Sequence, residues 1–527
     1  MSAPAPTVSV VIPVHNAMPY LLKTVNSVLE QTIGKDRLEV IAIDDGSTDG
    51  SGEALDEFAA AEPGIVRVVH QEASGGPSAP RNRGMDLARG EFVFFLDADD
   101  YFGPEALERL VKAANENDSD VVLGKGVGEG GRVPPMSMFK ANQPRADLYS
   151  SRVYWTLAPW KLYRRSLIER HQLRFPTGVR IGEDQPFGFW AYFHASNISV
   201  VADYDCVHVI RREDGGNITS GAGLDPRRWE HSDTRTLTTM VDLVGKNVPA
   251  GPKQDHLMHR HWEVEGVGVL NRVMRIPTAE VRDEQVALTR ALLDRWYTPE
   301  TARRLRPDLR LSYHLVQHGT TDEVLQSRKQ KDNISLAGRG DRVYAVLPGS
   351  EATAGIAPGP WVDITDAVSL KHWLDGVAVD GTVLRVSGTG RLSRVPAERL
   401  GLRLALRRRG TKEVREFPLE HEDGVFTAVI DVARDLGEPK AAAGVWDFEI
   451  VASIDEFERR AKFGSSLGKP MQARGRLVHT LREHGRLRAP AVAKQYFTEG
   501  AKRLAVRVYG PPSLRRTLGA MKRRILG

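Results

Sequence analysis

A chain of 527 residues exceeds what one ordinary hydrophobic core organises, so two to four domains are expected. Its 41% hydrophobic and 27% charged residues are those of a globular protein, and a single cysteine, Cys206, excludes an intramolecular disulfide and fits a reducing compartment. The net charge of +5 is uneven: residues 459–527 carry eighteen Lys and Arg against two Glu, so an acidic body bears a basic tail.

Met1 to Thr7 has no apolar core of signal-peptide length, which argues against export. The longest apolar runs, such as residues 92–96, fall far short of the roughly 20 residues that span a bilayer. The first third then alternates strand-like and helix-like segments. Residues 8–13, 38–43, 66–70, 92–96 and 121–123 read as strands, and 19–31, 52–61, 81–88 and 104–115 as helices. Such alternation predicts an α/β fold with a parallel sheet covered by helices, with ligands bound beyond the carboxyl ends of the strands. Residues 226–335 read as mostly helical, a linker or a lid. From 340 to 460 the period shifts to short strands parted by Gly-rich turns, at 383–386, 402–406, 426–430 and 446–451, predicting a β-sandwich. The tail, 461–527, mixes Leu and Val with Arg and reads as short basic helices interrupted by Pro490, Pro511 and Pro512.

Four constellations carry candidate chemistry, two of them directly after early strands. Asp97-Ala98-Asp99-Asp100 follows an apolar strand, and hard carboxylates there suit Mg²⁺ or Mn²⁺ beside a diphosphate leaving group. The plain alternative is an acidic strand end or a helix cap. Asp44-Asp45-Gly46-Ser47-Thr48-Asp49-Gly50-Ser51 also follows a strand. Its carboxylates can accept from a base or ribose, or its Ser and Asp can simply cap the next helix. The loop from Ser74-Gly75-Gly76-Pro77 to Pro80-Arg81-Asn82 opens a helix on which Arg81 can meet a base or phosphate, or solvent alone. Glu183-Asp184 offers a carboxylate able to take a proton from an acceptor hydroxyl, although surface charge is the usual explanation of such a pair. His256, His259 and His261 share a predicted helix, but an i, i+3, i+5 spacing is poor for one metal and reads as a packed or solvated cluster.

With Val10-Val11-Ile12-Pro13-Val14-His15-Asn16, these motifs occur in an order that resembles the family 2 glycosyltransferases of the GT-A fold. Within that family the chain is similar to the wall teichoic acid enzymes that place N-acetylglucosamine on poly(ribitol phosphate). The likeness rests on the Ser74–Asn82 loop, on Arg132-Val133-Pro134 with Met138-Phe139-Lys140, on the stretch from Tyr149 to Leu157, and on Gly182-Glu183-Asp184-Gln185.

The resemblance implies an inverting transferase with a UDP-sugar donor and a Mn²⁺ or Mg²⁺ cofactor. Pro13, Asp44 or Asp45, and Arg81 would hold the nucleoside, Asp97 would meet the nucleoside or donor, and Asp99 would bind the metal. Asp184 would be the base, with Glu183 positioning sugar or acceptor. His208 and Arg211, the latter in Arg211-Arg212-Glu213-Asp214-Gly215, would contact phosphate or acceptor. The implied organisation is a catalytic domain over 1–225, a helical linker over 226–335 and a β-sandwich over 340–460 that forms a homo-oligomer, a trimer in those enzymes; the basic tail over 461–527 has no counterpart in the resemblance. The implied acceptor is an anionic polyol-phosphate polymer. A tail of +16 suits such a polyanion or the anionic lipid headgroups of the inner membrane face, with the protein cytoplasmic; nothing before residue 459 speaks for nucleic acid. The competing readings are a transferase of capsular or lipid-linked polysaccharide assembly and a non-catalytic carbohydrate-binding scaffold.

Overall fold

The computed structural model describes residues 5–179, 181–217, 232–355, 359–437, 443–464, 466–467, 479–481, 493–497 and 504–508. The chain divides into two compact units, Met1–Leu305 and Arg306–Gly527.

The first unit is built on an eight-stranded sheet. In chain order its strands are β1 (Val8–Val14), β2 (Leu38–Asp45), β3 (Val66–Gln71), β4 (Phe92–Phe95), β5 (Tyr101–Phe102), β6 (Val121–Glu129), β7 (Leu162–Arg164) and β8 (Ile198–Ile210). They lie in the order β3-β2-β1-β4-β7-β6-β8-β5. The pairs β1–β2, β2–β3, β1–β4 and β6–β8 are parallel, as the continuous apolar runs of β1 and β2, buried on both faces, require. The sheet is nevertheless mixed, because β7 enters antiparallel between β4 and β6 and β5 pairs antiparallel with β8. The expected parallel sheet is interrupted there: β5 and β7 are two and three residues long, below what periodicity can register.

Helices α1 (Tyr20–Leu29), α2 (Ser51–Ala61), α3 (Ser78–Leu87) and α4 (Ala106–Asn117) follow β1, β2, β3 and β5, and α5 (Arg165–Arg170) and α6 (Asp184–His194) precede β8. On α1, Leu21, Thr24, Val25, Val28 and Leu29 form the buried stripe that a 3.6-residue period predicts. Helix α3 lies tight on β1 at Gly84, where an added Cβ would stand 2.3 Å from Val11 Cγ1. Helix α6 is fastened by an aromatic cluster in which Phe187 stacks on Phe175 at 4.1 Å and meets Phe95 edge-on at 5.5 Å. Helices Ser232–Asn247, Pro252–Glu263, Glu265–Val273, Ala279–Trp296 and Pro299–Arg304 complete the unit.

In the second unit, helices Pro307–His318 and Thr321–Lys329 precede a three-stranded antiparallel sheet over Ser335–Arg339, Arg342–Val346 and Trp361–Asp363. A four-stranded and a seven-stranded sheet follow, both antiparallel. Their inner faces meet: an added Cβ on Gly390 of the first would stand 3.2 Å from both Leu402 and Ile450 of the second, as in the expected sandwich.

The expected basic helices are absent from the described part of the tail. His479–Leu481, Ala493–Phe497 and Leu504–Val508 are strands, and Leu504–Val508 pairs with Gly444–Ile454 in the seven-stranded sheet. Leu504, Val506 and Val508, spaced by two, are the strand signal that the many Arg residues obscured. Residues 509–527 lie outside the described residues. Among the described residues no helix is long and apolar enough to cross a membrane.

Candidate active site

Strands β1, β2 and β4 end side by side, so the loops that follow them share one edge of the sheet. They open on a cavity of about 580 Å³ in the first unit. Pro13 and Asp45 reach it from β1 and β2, Arg81 from α3, Asp97, Asp99 and Asp100 from the turn after β4, and Glu183 and Asp184 from the start of α6.

Arg81 joins these walls. Its guanidinium is buried and donates through one nitrogen to Asp97 Oδ1 and through the other to Glu183 Oε1, each at 2.7 Å. Burial disfavours its charge, but Asp97 and Glu183 more than offset this and keep it firmly protonated. Arg81, expected to meet the nucleoside, thus lines the cavity and also forms a buried bridge between the acidic turn and the later loop.

The turn itself holds excess negative charge. Burial and the neighbouring Asp97 push Asp99 up to about 6, although Arg212 and Arg132 counter them. Asp100, more deeply buried, is raised well above the ordinary range and accepts from the Ile210 backbone N–H at 2.8 Å. Asn217 donates to Asp99 Oδ2 at 2.7 Å. Asp99 and Asp100 are thus hard-oxygen donors whose charge burial disfavours, the donor chemistry a divalent cation takes, although among the described residues no three His, Cys, Asp or Glu side chains already converge as a metal group.

Burial, and then the adjacent Glu183, push Asp184 up to about 7, against the opposing fields of Arg81, Lys161 and Arg260. A carboxylate that exchanges its proton near neutral pH is suited to general-base work. Lys161, buried behind the cavity wall with its ammonium on the Ala158 carbonyl, is driven down to about 7 by burial.

Of the aspartate pair after β2, Asp45 lines the cavity and Asp44 does not. Asp44 accepts from the Ser47 N–H at 3.0 Å and pairs with His70 Nδ1 at 2.9 Å, so it organises its own turn. Asp45 accepts from the Ser74 N–H and hydroxyl and from Gln71, tying the glycine loop to the sheet. His208 and Arg211 also stay off the cavity. His208 stacks on Tyr101 at 4.3 Å with Nδ1 2.9 Å from Glu129, and Arg211 is exposed. Their place is taken by Arg212, one residue on, which lines the cavity, donates to Asp214 and to the Asn16 carbonyl, and lies over the Tyr20 ring at 5.2 Å. The doubled arginine was visible in the sequence; which of the two faces inward was not. Arg132, in a stretch that carried the resemblance but was given no role, and Asn217, which was not singled out, are further wall residues. The histidine cluster is packed: His261 lies between Tyr154 and Glu265, and His256 bonds the Ser151 carbonyl.

A curled, partly parallel sheet with acidic turns at its strand ends and a late carboxylate helix facing them is the architecture of a GT-A glycosyltransferase. The chain belongs to glycosyl transferase family 2, whose profile matches residues 9–182; the Glycosyl transferase TarS linker domain matches 233–327, and TarS beta-glycosyltransferase C-terminal domain 1 matches 363–508. It is 28% identical over 474 residues, 87% of this chain and 72% of the relative, to a poly(ribitol-phosphate) beta-glucosyltransferase of Bacillus spizizenii. The crystal structure of S. aureus TarS shares the fold across 97% of this chain and 86% of that one, with a TM-score of 0.60 at 22% identity. That of S. aureus TarS 1-349 in complex with UDP-GlcNAc covers 66% of this chain and 98% of its own, with a TM-score of 0.55 at 27% identity.

Proposed function

We propose that this glycosyltransferase is inverting and metal-dependent, and that it moves a sugar from a UDP-sugar to a hydroxyl of poly(ribitol phosphate) or a similar anionic polyol-phosphate polymer. One observation carries the reading: carboxylates at the end of β4 and at the start of α6, far apart in sequence, line one cavity and are joined through Arg81. Pro13 and Asp45 bound the end of the cavity suited to the nucleoside. Asp99, flanked by Asp97 and Asp100, would hold a divalent cation, which when bound neutralises the diphosphate leaving group. Asp184 takes the proton of the acceptor hydroxyl as its oxygen attacks the anomeric carbon, and UDP departs from the opposite face. Glu183, held by Arg81, keeps the first turn of α6 facing the sugar.

The similar proteins support a UDP-sugar donor and a ribitol-phosphate acceptor, with glucose and N-acetylglucosamine as the sugars to compare. The basic C-terminal sequence supports a polyanionic partner. The test is UDP release from UDP-glucose and UDP-N-acetylglucosamine with ribitol-phosphate polymer, with Mn²⁺ and with EDTA. Polymer-dependent release from one donor, abolished by EDTA, is expected. Absence of polymer-dependent release from either sugar contradicts the acceptor, and full activity in EDTA contradicts the metal.

A further inference from the structure

The base loop is held from outside the catalytic sheet. Gln185, beside Asp184 in the first turn of α6, lines the cavity, and its amide nitrogen donates to Glu265 Oε1 at 2.9 Å. Glu265 in turn accepts both of its oxygens' bonds from one nitrogen of Arg260, at 2.7 and 2.6 Å, and that nitrogen lies 3.4 Å from Gln185 Oε1. His261 Nδ1 is 2.9 Å from Glu265 Oε2 and its Nε2 is 2.8 Å from the Tyr154 hydroxyl. An ionised carboxylate only accepts, so His261 donates through Nδ1, and because burial lowers its pKa and favours the neutral ring, Tyr154 donates to Nε2. Burial opposes the charge of Glu265, yet Arg260 and His261 hold its carboxyl down at about 2. Arg260, His261, Glu265 and Tyr154 are all buried.

Helices Pro252–Glu263 and Glu265–Val273 supply Arg260, His261 and Glu265, while Tyr154 belongs to the short turn that precedes the cavity wall at Ala158–Trp160. A third helix, Ser232–Asn247, closes on the same loop: a Cβ on Gly182, whose φ is +85°, would meet Thr236 Oγ1 at 2.5 Å. A buried ion pair is a poor source of stability, because desolvating both charges costs about what their attraction returns, and geometric specification is its better attested use. Here the geometry specified is that of the turn carrying Asp184.

We infer that Arg260 and Glu265 are positioning residues for sugar transfer, acting through Gln185 to fix the first turn of α6 and so the Asp184 carboxylate, which makes the helices after the sheet a working part of the active site. The inference rests on Asp184 being the base.

The test compares the full-length chain with Gln185→Ala, Glu265→Gln, their double variant and Asp184→Asn, measuring kcat, KM for the UDP-sugar and melting temperature. Gln185→Ala and Glu265→Gln are each expected to lower kcat about 10- to 100-fold, the scale of a 1 Å misplacement, with KM for the donor nearly unchanged. The double variant should fall no further than the worse single one, because both break the same chain. Should Glu265→Gln fail to fold, Gln185→Ala, which removes one cavity-wall amide, carries the test alone. A Gln185→Ala enzyme with wild-type kcat, or losses that multiply in the double variant, overturns the inference while Asp184→Asn remains inactive. Turnover by Asp184→Asn overturns both the inference and the reading beneath it.

Discussion

Replacing Arg81 by Met keeps most of the side-chain volume and removes the charge that joins the two halves of the site. The side chain of Arg81 is 4% exposed and that of Glu183 8%, and the two 2.7 Å bonds are lost together. Among the described residues Arg81 is the cation paired with Glu183, so the variant leaves a buried carboxylate without a counter-charge beside Asp184. Removing one partner of a buried pair costs about 3–5 kcal/mol. At roughly 2–4 °C per kcal/mol for a domain near this size, the melting temperature of the catalytic unit should fall by roughly 10 °C. Arg81→Lys should recover only part of this, since one ammonium cannot fork to two carboxylates as a planar guanidinium does. Thermal unfolding of the three proteins, with transfer measured on each, is the assay. An Arg81→Met protein that melts within about 2 °C of wild type and transfers normally would refute the bridge as the element that organises the site.

The acidic residues predict a pH dependence of stability. Asp99 is raised to about 6 and Asp184 to about 7, each from an ordinary value of 3.8, so the folded state keeps protons that the unfolded chain has released. Their contribution is present in full below the unfolded value and is lost as pH rises from about 4 to 7. Denaturant midpoints should therefore show Asp184→Asn gaining on wild type between pH 5 and pH 7.5; parallel curves would contradict the shift. Gly84→Ala tests the packing of α3 on β1. Although Ala favours helix, the 2.3 Å approach to Val11 should make the change destabilising by about 1–3 kcal/mol, and an unchanged denaturation midpoint would refute it.

Much of the catalytic unit was legible because its strands are buried on both faces and read as unbroken apolar runs, each followed by acidic or glycine-rich turns. That pattern located the Asp44-Asp45 pair, Asp97 and Asp99, of which Asp45, Asp97 and Asp99 reach the cavity, whereas Asp184, which also reaches it, was singled out by the resemblance. Short elements were not legible: β5 and β7 leave too little sequence for periodicity, and it is their antiparallel pairing that makes the sheet mixed. Orientation was not legible either. Asp44 and Asp45 differ by one position along a strand, where neighbours point to opposite faces, so the choice depends on a register set by distant pairing, and Arg211 and Arg212 lie in the loop just past β8, which no periodicity orients. The polar chain through Glu265 and Arg260 had no signal in sequence, because its members meet only after two helices fold against α6. In the tail, charge masked the alternation of Leu504, Val506 and Val508, and strands were read as helices.

The role of Asp184 is tested most directly by Asp184→Asn, a change that preserves shape and removes the proton acceptor. Binding of the UDP-sugar by calorimetry should stay near wild type, while transfer to the polymer falls by at least about 100-fold, the scale of a lost general base. Near-normal transfer by the variant would contradict the account at its centre.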